Sequence, residues 1–486
     1  MNKVDLKRIL KKVEKPARYL GNEINSIHKD TSDESLIRYA QCFPDLYEVG
    51  MSHLGSHILY DVINRDEKIF CERVYAPAVD MENMMREKNI PLFALESREP
   101  ITNFDVIAFT LQYELSYTNI LNMLDLANVP ILRTERKLDD PFILVGGPCA
   151  YNVEPMADFV DIVVLGEGEE VNLEILNAYK EWKKNKTTRE DFLYQISSIE
   201  GVYIPSFYDV TYNEDNTVKE VVPNRENIPS KPHKRIIKDV ENVPYPEKLI
   251  VPFIDTVHNR VVLELFRGCT RGCRFCQAGM IYRPIREKNL DTLTKSVREL
   301  VDNTGYDEIS LSSLSTSDYT HLPELTDFLV DEFTPENIGI SLPSLRLDNF
   351  SMEIAEKIQQ VRKSGLTFAP EALIFFIYMI PFAFSYMMSS VKSGQLSPAC
   401  KIPMYFIQAA PLVSFVLVAF RVLQRWMIEF RVARGENVFD PAHPERNTPE
   451  SFIEANAGAD NATENALNAG IDNRIHTIKN SNEEER

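Results

Sequence analysis

From Ser35 to about residue 182 the chain alternates short, unbroken apolar runs with stretches of helical period. SLIRYAQCF (35–43), IPLFALE (90–96), DVIAFTL (105–111), PFILVGG (141–147) and DIVVLGE (161–167) read as strands. HLGSHILYDVINR after the first of them, and LSYTNILNMLDLAN further on, read as helices. Continuous apolar runs predict strands covered on both faces, as in a parallel sheet. The helices between them supply the crossovers. The pattern predicts an α/β fold: a Rossmann-like, doubly wound domain over 35–182, after a polar lead-in over 1–34 that is helical in part.

Gly and Pro punctuate the predicted strand ends, at Phe43-Pro44-Asp45, Gly146-Gly147-Pro148 and Gly166-Glu167-Gly168-Glu169. Ligands of such sheets sit in the crevice outside the carboxyl ends of the strands, where glycine allows close approach. No GxGxxG is present, so a dinucleotide is poorly supported. Residues 183–256 carry two short β segments, VYIP and YDVTY, and Pro-rich text that reads as an extended connector. A second βα series runs over 257–372. VVLELFR, DEISLSSLS, NIGISLPSL and GLTFAP are its strands, and LDTLTKSVRELVDN, TDFLVDEF and SMEIAEKIQQVRKS its helices.

The text then changes twice. Ala372 to Val391 and Ile402 to Phe420 are runs of 20 and 19 residues without a charge, each long enough for a membrane-crossing helix. Residues 373–434 are therefore expected to form a transmembrane hairpin, with Arg421, Arg425, Arg431 and Arg434 holding both ends in the cytoplasm. Residues 435–486 hold 11 acidic and 4 basic residues, and are expected to be a disordered acidic tail. At 486 residues, about three domains are expected. The net charge of 53 − 72 = −19 argues against a broad nucleic-acid face. Seven cysteines, an odd number, and a charged N-terminus without an apolar core argue against a secreted disulfide scaffold. The expected location of 1–371 and 435–486 is the cytoplasm, with membrane anchoring through 372–420.

Three of the cysteines, Cys269, Cys273 and Cys276, fall in one C-x3-C-x2-C loop directly after a predicted strand. Thiolates are soft ligands suited to zinc and iron-sulfur clusters. Structural zinc takes four ligands, usually as two separated pairs. Three on one loop suit a [4Fe-4S] cube with one open iron.

This spacing, with Phe275 just before the last cysteine, resembles the radical SAM superfamily. RGCTRGCRFCQAGMIYRPIRE, EISLSSLSTSDY, SLPSLR and GLTFAPEA resemble a bacterial subgroup that carries a cobalamin-binding-like domain before the barrel. KPARYLGNEIN, FPDLYEVGMSHLG, LQYELSYTN, GGPCAYNVEP and GEGEE resemble the N-terminal half of the same subgroup. The resemblance runs from about residue 13 to 372. It implies a [4Fe-4S] cluster on the three cysteines that cleaves S-adenosylmethionine to a 5′-deoxyadenosyl radical, acting on a substrate it does not specify. It implies adenosylmethionine contacts at Phe275, Ser312, Ser313, Ser315 and Glu371, although the usual Gly-Gly-Glu is absent. It implies cobalamin near Tyr47, Gly50, Gly146, Gly147 and Gly166. His53 lacks the Asp two residues before it that a cobalt-ligating loop has, so His53 and His57 read as capping or core residues. The implied partners are small-molecule cofactors and a reductant such as flavodoxin or ferredoxin.

A barrel of this family has about six βα units, and 257–372 has room for about four at ~30 residues each. Residues 373–434 resemble the last part of the small permease subunit of TRAP-type dicarboxylate transporters. Together these predict a chimera joined near Ala372, with impaired activity. The alternatives are a transporter fragment carrying a passenger domain and a non-catalytic iron-sulfur protein.

Overall fold

A computed structural model describes residue 6, residues 8–345, residues 354, 357 and 358, and the helices 369–393 and 404–433. The chain divides into two compact units, Met1–Lys363 and Ser364–Arg486.

The first unit holds two parallel sheets, each with its own core. The larger is built from β1 (Ile37–Phe43), β2 (Ile69–Tyr75), β3 (Val106–Thr110), β4 (Phe142–Gly146), β5 (Ile162–Val164) and β6 (Val202–Tyr203), in the order β2-β1-β3-β4-β5-β6. β1 to β5 are parallel and β6 runs antiparallel at the edge. This is the doubly wound order in which the winding reverses between β1 and β3, and the crevice opens there. The all-buried faces of β1 and of β3 up to Phe109 match their unbroken apolar text.

The helices form where the period demands. α1 is a single turn, Tyr47–Gly50, and α2 is Leu54–Asn64, capped by the His53 side chain, which accepts from the Ser56 amide. α3 (Val79–Lys88) and α4 (Tyr117–Leu126) follow. α5 (Gly168–Asn185) buries Val171, Ile175, Leu176, Tyr179 and Trp182 on one stripe. α6 (Arg189–Ile196) starts at a Thr188–Asp191 capping box. An exposed hairpin, β7 (Tyr208–Tyr212) and β8 (Val218–Pro223), comes next.

The second sheet has β9 (Val261–Glu264), β12 (Glu308–Ser312) and β13 (Gly339–Ser341), all parallel, in the order β13-β12-β9. Beside it β10 (Phe266–Arg267) pairs antiparallel with β11 (Arg286–Glu287). α7 (Ala278–Ile281) is one turn after the cysteines. α8 (Leu290–Thr304) and α9 (Leu322–Phe333) cover the sheet, with Leu293, Val297, Leu300 and Val301 forming the buried stripe of α8.

Several expectations need correction. IPLFALE is buried but is not a strand. Its amides go to four places: Ile90 to the Met85 carbonyl, Leu92 to Leu126, Ala94 to Glu99 and Leu95 to Arg73. A chain that turns back between Pro91 and Pro100 cannot hold one ladder register. The edge strand is instead IFCERVY, β2, whose charges Glu72 and Arg73 disguise a buried strand. The lead-in is not a polar overhang, since Leu6, Ile9, Val13 and Tyr19 enter the first core. The connector returns to the first sheet, where Gly166 bridges to Arg235 and Ile24 to Val251. GLTFAP is not seen as a strand: Ala369 and Pro370 already belong to a helix, and the rest lies outside the described residues. The disordered tail expected over 435–486 also lies outside them.

The second unit contains α10 (Ala369–Ser393) and α11 (Met404–Ala433), which pack against each other. The helical hairpin is present, but the transmembrane reading finds no support. Among the described residues no helix is long and apolar enough to cross a membrane.

Two buried arginines tie the first sheet together. Arg73 meets Glu23 of the lead-in at 2.6 Å and Glu96 at 2.6 Å. Arg38 reaches Glu72 and, at 3.1 Å, Glu99. Arg73→Ala would strand two carboxylates in the core, at a cost of about 3–5 kcal/mol. Urea denaturation of the full chain is the check, and a loss under about 1 kcal/mol, the scale of an exposed pair, would contradict this account.

Candidate active site

The carboxyl ends of both sheets face one cavity of about 380 Å³. From the first sheet it is lined by Gln41 of β1, Thr110 and Gln112 at the end of β3, Gly146 and Gly147 at the end of β4, and the Gly166–Glu169 loop that leads from β5 into the first turn of α5. From the second it is lined by Glu264, Phe266, Arg267, Gly268 and Ser312 to Leu314. The first-sheet side is largely apolar, with Leu54, Ile58, Phe109, Leu144 and Val164, and the second-sheet side is charged.

That charge is organised around Arg267, whose side chain is 12% exposed. Its guanidinium takes Glu264 in a two-point contact, Nε–Oε1 3.0 Å and Nη2–Oε2 3.1 Å. It also reaches Glu169 at 2.7 Å and Glu167 at 3.3 Å. Arg286 meets the other oxygen of Glu167 at 2.6 Å, and Lys288 meets Glu264 at 3.2 Å. Burial opposes the charge on Arg267, but Glu264, Glu169 and Glu167 outweigh it and raise its pKa above the ordinary value. Burial likewise opposes ionisation of Glu264, yet Arg267 and Lys288 hold its pKa below the usual carboxylate range. For Lys288 burial prevails and lowers the pKa.

Two glycines permit the loops. Gly166 has φ +101°, and a Cβ there would stand 2.2 Å from the Arg235 carbonyl. Gly268 has φ +92°, with Pro284 O 2.5 Å from a Cβ. Cys269 follows at once. Cys269, Cys273 and Cys276 are all half-exposed, while Cys42, Cys71 and Cys149 are buried elsewhere. The Cys276 amide donates to the Cys273 carbonyl at 3.0 Å. Among the described residues no three Cys, His, Asp or Glu side chains are gathered as a metal site. The fit to a cluster therefore rests on donor chemistry: three accessible soft ligands on one short loop. Arg271 of this loop clasps Asp318 with its Nε at 2.7 Å, and Ser315 donates to the same carboxylate at 2.6 Å.

The remaining predicted positions separate into groups. Ser312 and Ser313 line the cavity. Ser315 is buried and turned to Asp318. Phe275 is 93% exposed. Glu371 lies in α10, outside the residues whose side chains are described. Gly146, Gly147 and Gly166 line the cavity. Tyr47 and Gly50 do not: Tyr47 is buried with its hydroxyl on Glu23 at 2.9 Å, and a Cβ on Gly50 would strike the Tyr75 ring at 2.3 Å. They serve core packing. Missed by the sequence reading were Glu264, Arg267, Arg286 and Lys288. The available signal was charge inside or beside strands read as buried, which demands partners.

Residues 263–373 match the model described as the radical SAM superfamily, and residues 55–205 the one described as the N-terminal region of radical SAM proteins. An uncharacterised protein of Methanocaldococcus jannaschii is 29% identical over 334 residues, covering 68% of this chain and 59% of its own length. The chain thus spans less than two thirds of that relative. Two structures of TsrM from Kitasatospora setae, a radical S-adenosylmethionine methyltransferase, are distantly similar. One has cobalamin and a [4Fe-4S] cluster bound, with 12% identity and TM-score 0.40. The other has tryptophan and aza-SAM bound, with 14% identity and TM-score 0.38. Each covers 67% of this chain and 57% of its own. The radical SAM domain match runs to residue 373. The expected likeness of 373–434 to a transporter subunit, and the chimera built on it, find no support.

His53 lies on the cavity wall, where its Nδ1 accepts from the Ser56 amide at 3.1 Å. Burial, then the neighbouring His57, lower its pKa from 6.5 to about 4. Burial also lowers that of His57 to about 4. Both are neutral near pH 7. The unfolded chain binds these protons first, so stability holds above about 6.5 and falls as the pH drops toward 4. His53→Asn keeps a capping acceptor and removes one titration. Its urea midpoint is expected to fall less steeply than wild type between pH 6.5 and 4, and an identical slope would count against the assignment.

Proposed function

We propose that this chain is a radical SAM enzyme whose cluster is held by Cys269, Cys273 and Cys276 and whose chemistry faces the cavity between the two sheets. The observation that carries the reading is the placement of three half-exposed thiols on the loop that leaves β10, inside the matched radical SAM domain and beside that cavity. A [4Fe-4S] cluster bound there supplies an open iron and the electron for reductive cleavage of S-adenosylmethionine, with the electron coming from a carrier such as flavodoxin or ferredoxin. The chain's own part is placement. Gly268 turns the backbone into the cysteine loop, and the Arg271–Asp318 clasp holds that loop to the end of β12. Ser312 and Ser313 offer hydroxyls to a polar ligand group at the same edge. The apolar wall on the first-sheet side excludes water, which strengthens each polar contact inside.

Anaerobic reconstitution with iron and sulfide is the test. One cluster per chain is expected, with 5′-deoxyadenosine formed from adenosylmethionine under dithionite. The Cys269→Ala/Cys273→Ala/Cys276→Ala variant should lose the iron and the visible absorbance. Unchanged iron in that variant would sink the reading, and a full cluster without adenosylmethionine cleavage would favour a non-catalytic iron-sulfur protein.

Cobalamin fits the other half of the cavity in this reading, along Gly146, Gly147 and Gly166. A Cβ on Gly146 would make ordinary contacts at 3.6 Å with Val164, so Gly146→Ala adds a methyl group there without a clash. Equilibrium dialysis of the full chain against micromolar hydroxocobalamin should show retention by wild type and weaker retention by Gly146→Ala. Equal retention by both would place cobalamin elsewhere.

A further inference from the structure

The Gly166–Glu169 loop and the cysteine loop are about a hundred residues apart in sequence and meet at one side chain. Arg267 stands two residues before Cys269. Its planar fork grips Glu264 of its own sheet and Glu167 and Glu169 of the other. Glu167 is held in turn from three sides. It receives Arg267 on one oxygen, and Arg286 and the Ile237 amide at 2.6 Å on the other. Its own amide donates to the Arg235 carbonyl at 3.1 Å. Arg286 pairs with Arg267 across β10–β11. One carboxylate therefore joins the end of β5, the returning connector and the strand pair that carries the cysteines. Glu167, Glu169, Arg267 and Gly268 all line the cavity, so a ligand in it would touch both loops and the groups that link them.

We propose that Arg267 is a positioning residue that couples the Gly166–Glu169 loop to the cysteine loop, so that filling either site changes how tightly the other is held. The assignment rests on reading the cysteine loop as the cluster site, but the linkage it invokes is drawn from the described side chains alone. A guanidinium suits this role because its fork is rigid, so partners cannot shift one at a time without losing geometry at the others. A lysine would keep the charge and lose that constraint. Coupling of this kind is reciprocal: whatever one site does to the other is returned by the same factor.

Hydrogen exchange on the full chain tests it. In Glu169→Gln, Arg267 keeps Glu264 and Glu167, so the fold should survive with its melting midpoint near wild type. The amides from Gly268 to Cys276 should nonetheless exchange about tenfold faster, while those of α9 and β3 do not change. Arg267→Lys should show the same selective loosening, and should also loosen the Glu167 amide. Loading wild type with iron and sulfide should slow exchange at Glu167, and that protection should vanish in Arg267→Lys. In reduced, loaded protein, the electron paramagnetic resonance spectrum should differ between wild type and Glu169→Gln. A folded Glu169→Gln variant whose cysteine loop exchanges at the wild-type rate would overturn the proposal. Failure of wild type to take up iron would sink the cluster reading instead, and the exchange rates of the iron-free variants would still decide the coupling.

Discussion

The guanidinium of Arg267 is the point on which the first unit's architecture turns. It is buried between two sheets that share no strand, and three carboxylates converge on it. Arg286 and Lys288 bring the cations of the group to three, matching Glu167, Glu169 and Glu264. Such a group is costly to desolvate and is often no more stabilising than an apolar contact of the same size. What it provides is geometry, because an ion pair with a planar fork has far fewer acceptable arrangements than a greasy surface. With that register set, the carboxyl ends of β3, β4 and β5 face those of β9 and β12 across a cavity.

The two walls of that cavity differ in kind. The first-sheet wall is built by strands whose text is almost wholly apolar, with glycines where side chains would intrude. The second-sheet wall carries Glu264, Arg267 and the serines after β12, and Glu167 and Glu169 meet Arg267 from the first-sheet side. A ligand spanning both would have an apolar portion and a polar or charged portion. The closest backbone approaches, at Gly166 and Gly268, are those where a side chain would collide with a carbonyl.

How much of this was legible in the chain follows from which signals are local. The strands at 37–43, 106–110, 142–146 and 162–164 show as apolar runs because both faces are covered, and α8 shows through its period. The cysteine loop is legible from spacing alone. β2 was hidden because Glu72 and Arg73 interrupt its run, and their partners Arg38, Glu23 and Glu96 are distant in sequence. IPLFALE misled for the opposite reason: burial was read as a strand, whereas the segment is a buried turn-back against β2. Tyr47 and Gly50 stand beside a strand end and looked like cavity residues, but their neighbours Glu23 and Tyr75 close that position. The helices at 369–393 and 404–433 were legible as two uncharged runs, while the membrane crossing read from those runs finds no support among the described residues. Arg267 was in plain sight beside the cysteines, yet its role depends on two glutamates about a hundred residues away.

The bridge between Gly166 and Arg235 bears on how such a chain can be inherited. A Pro-rich stretch between two βα series looks like a seam where modules are joined and exchanged. Here that stretch comes back to lie beside β5, accepts the Glu167 amide and donates from Arg235 to Leu165. It is an outer rail of the first sheet as well as a passage to the second. Recombination at residue 183 would transfer a sheet without the rail that shapes its ligand loop. The smallest block that keeps that loop's contacts intact extends past Ile237.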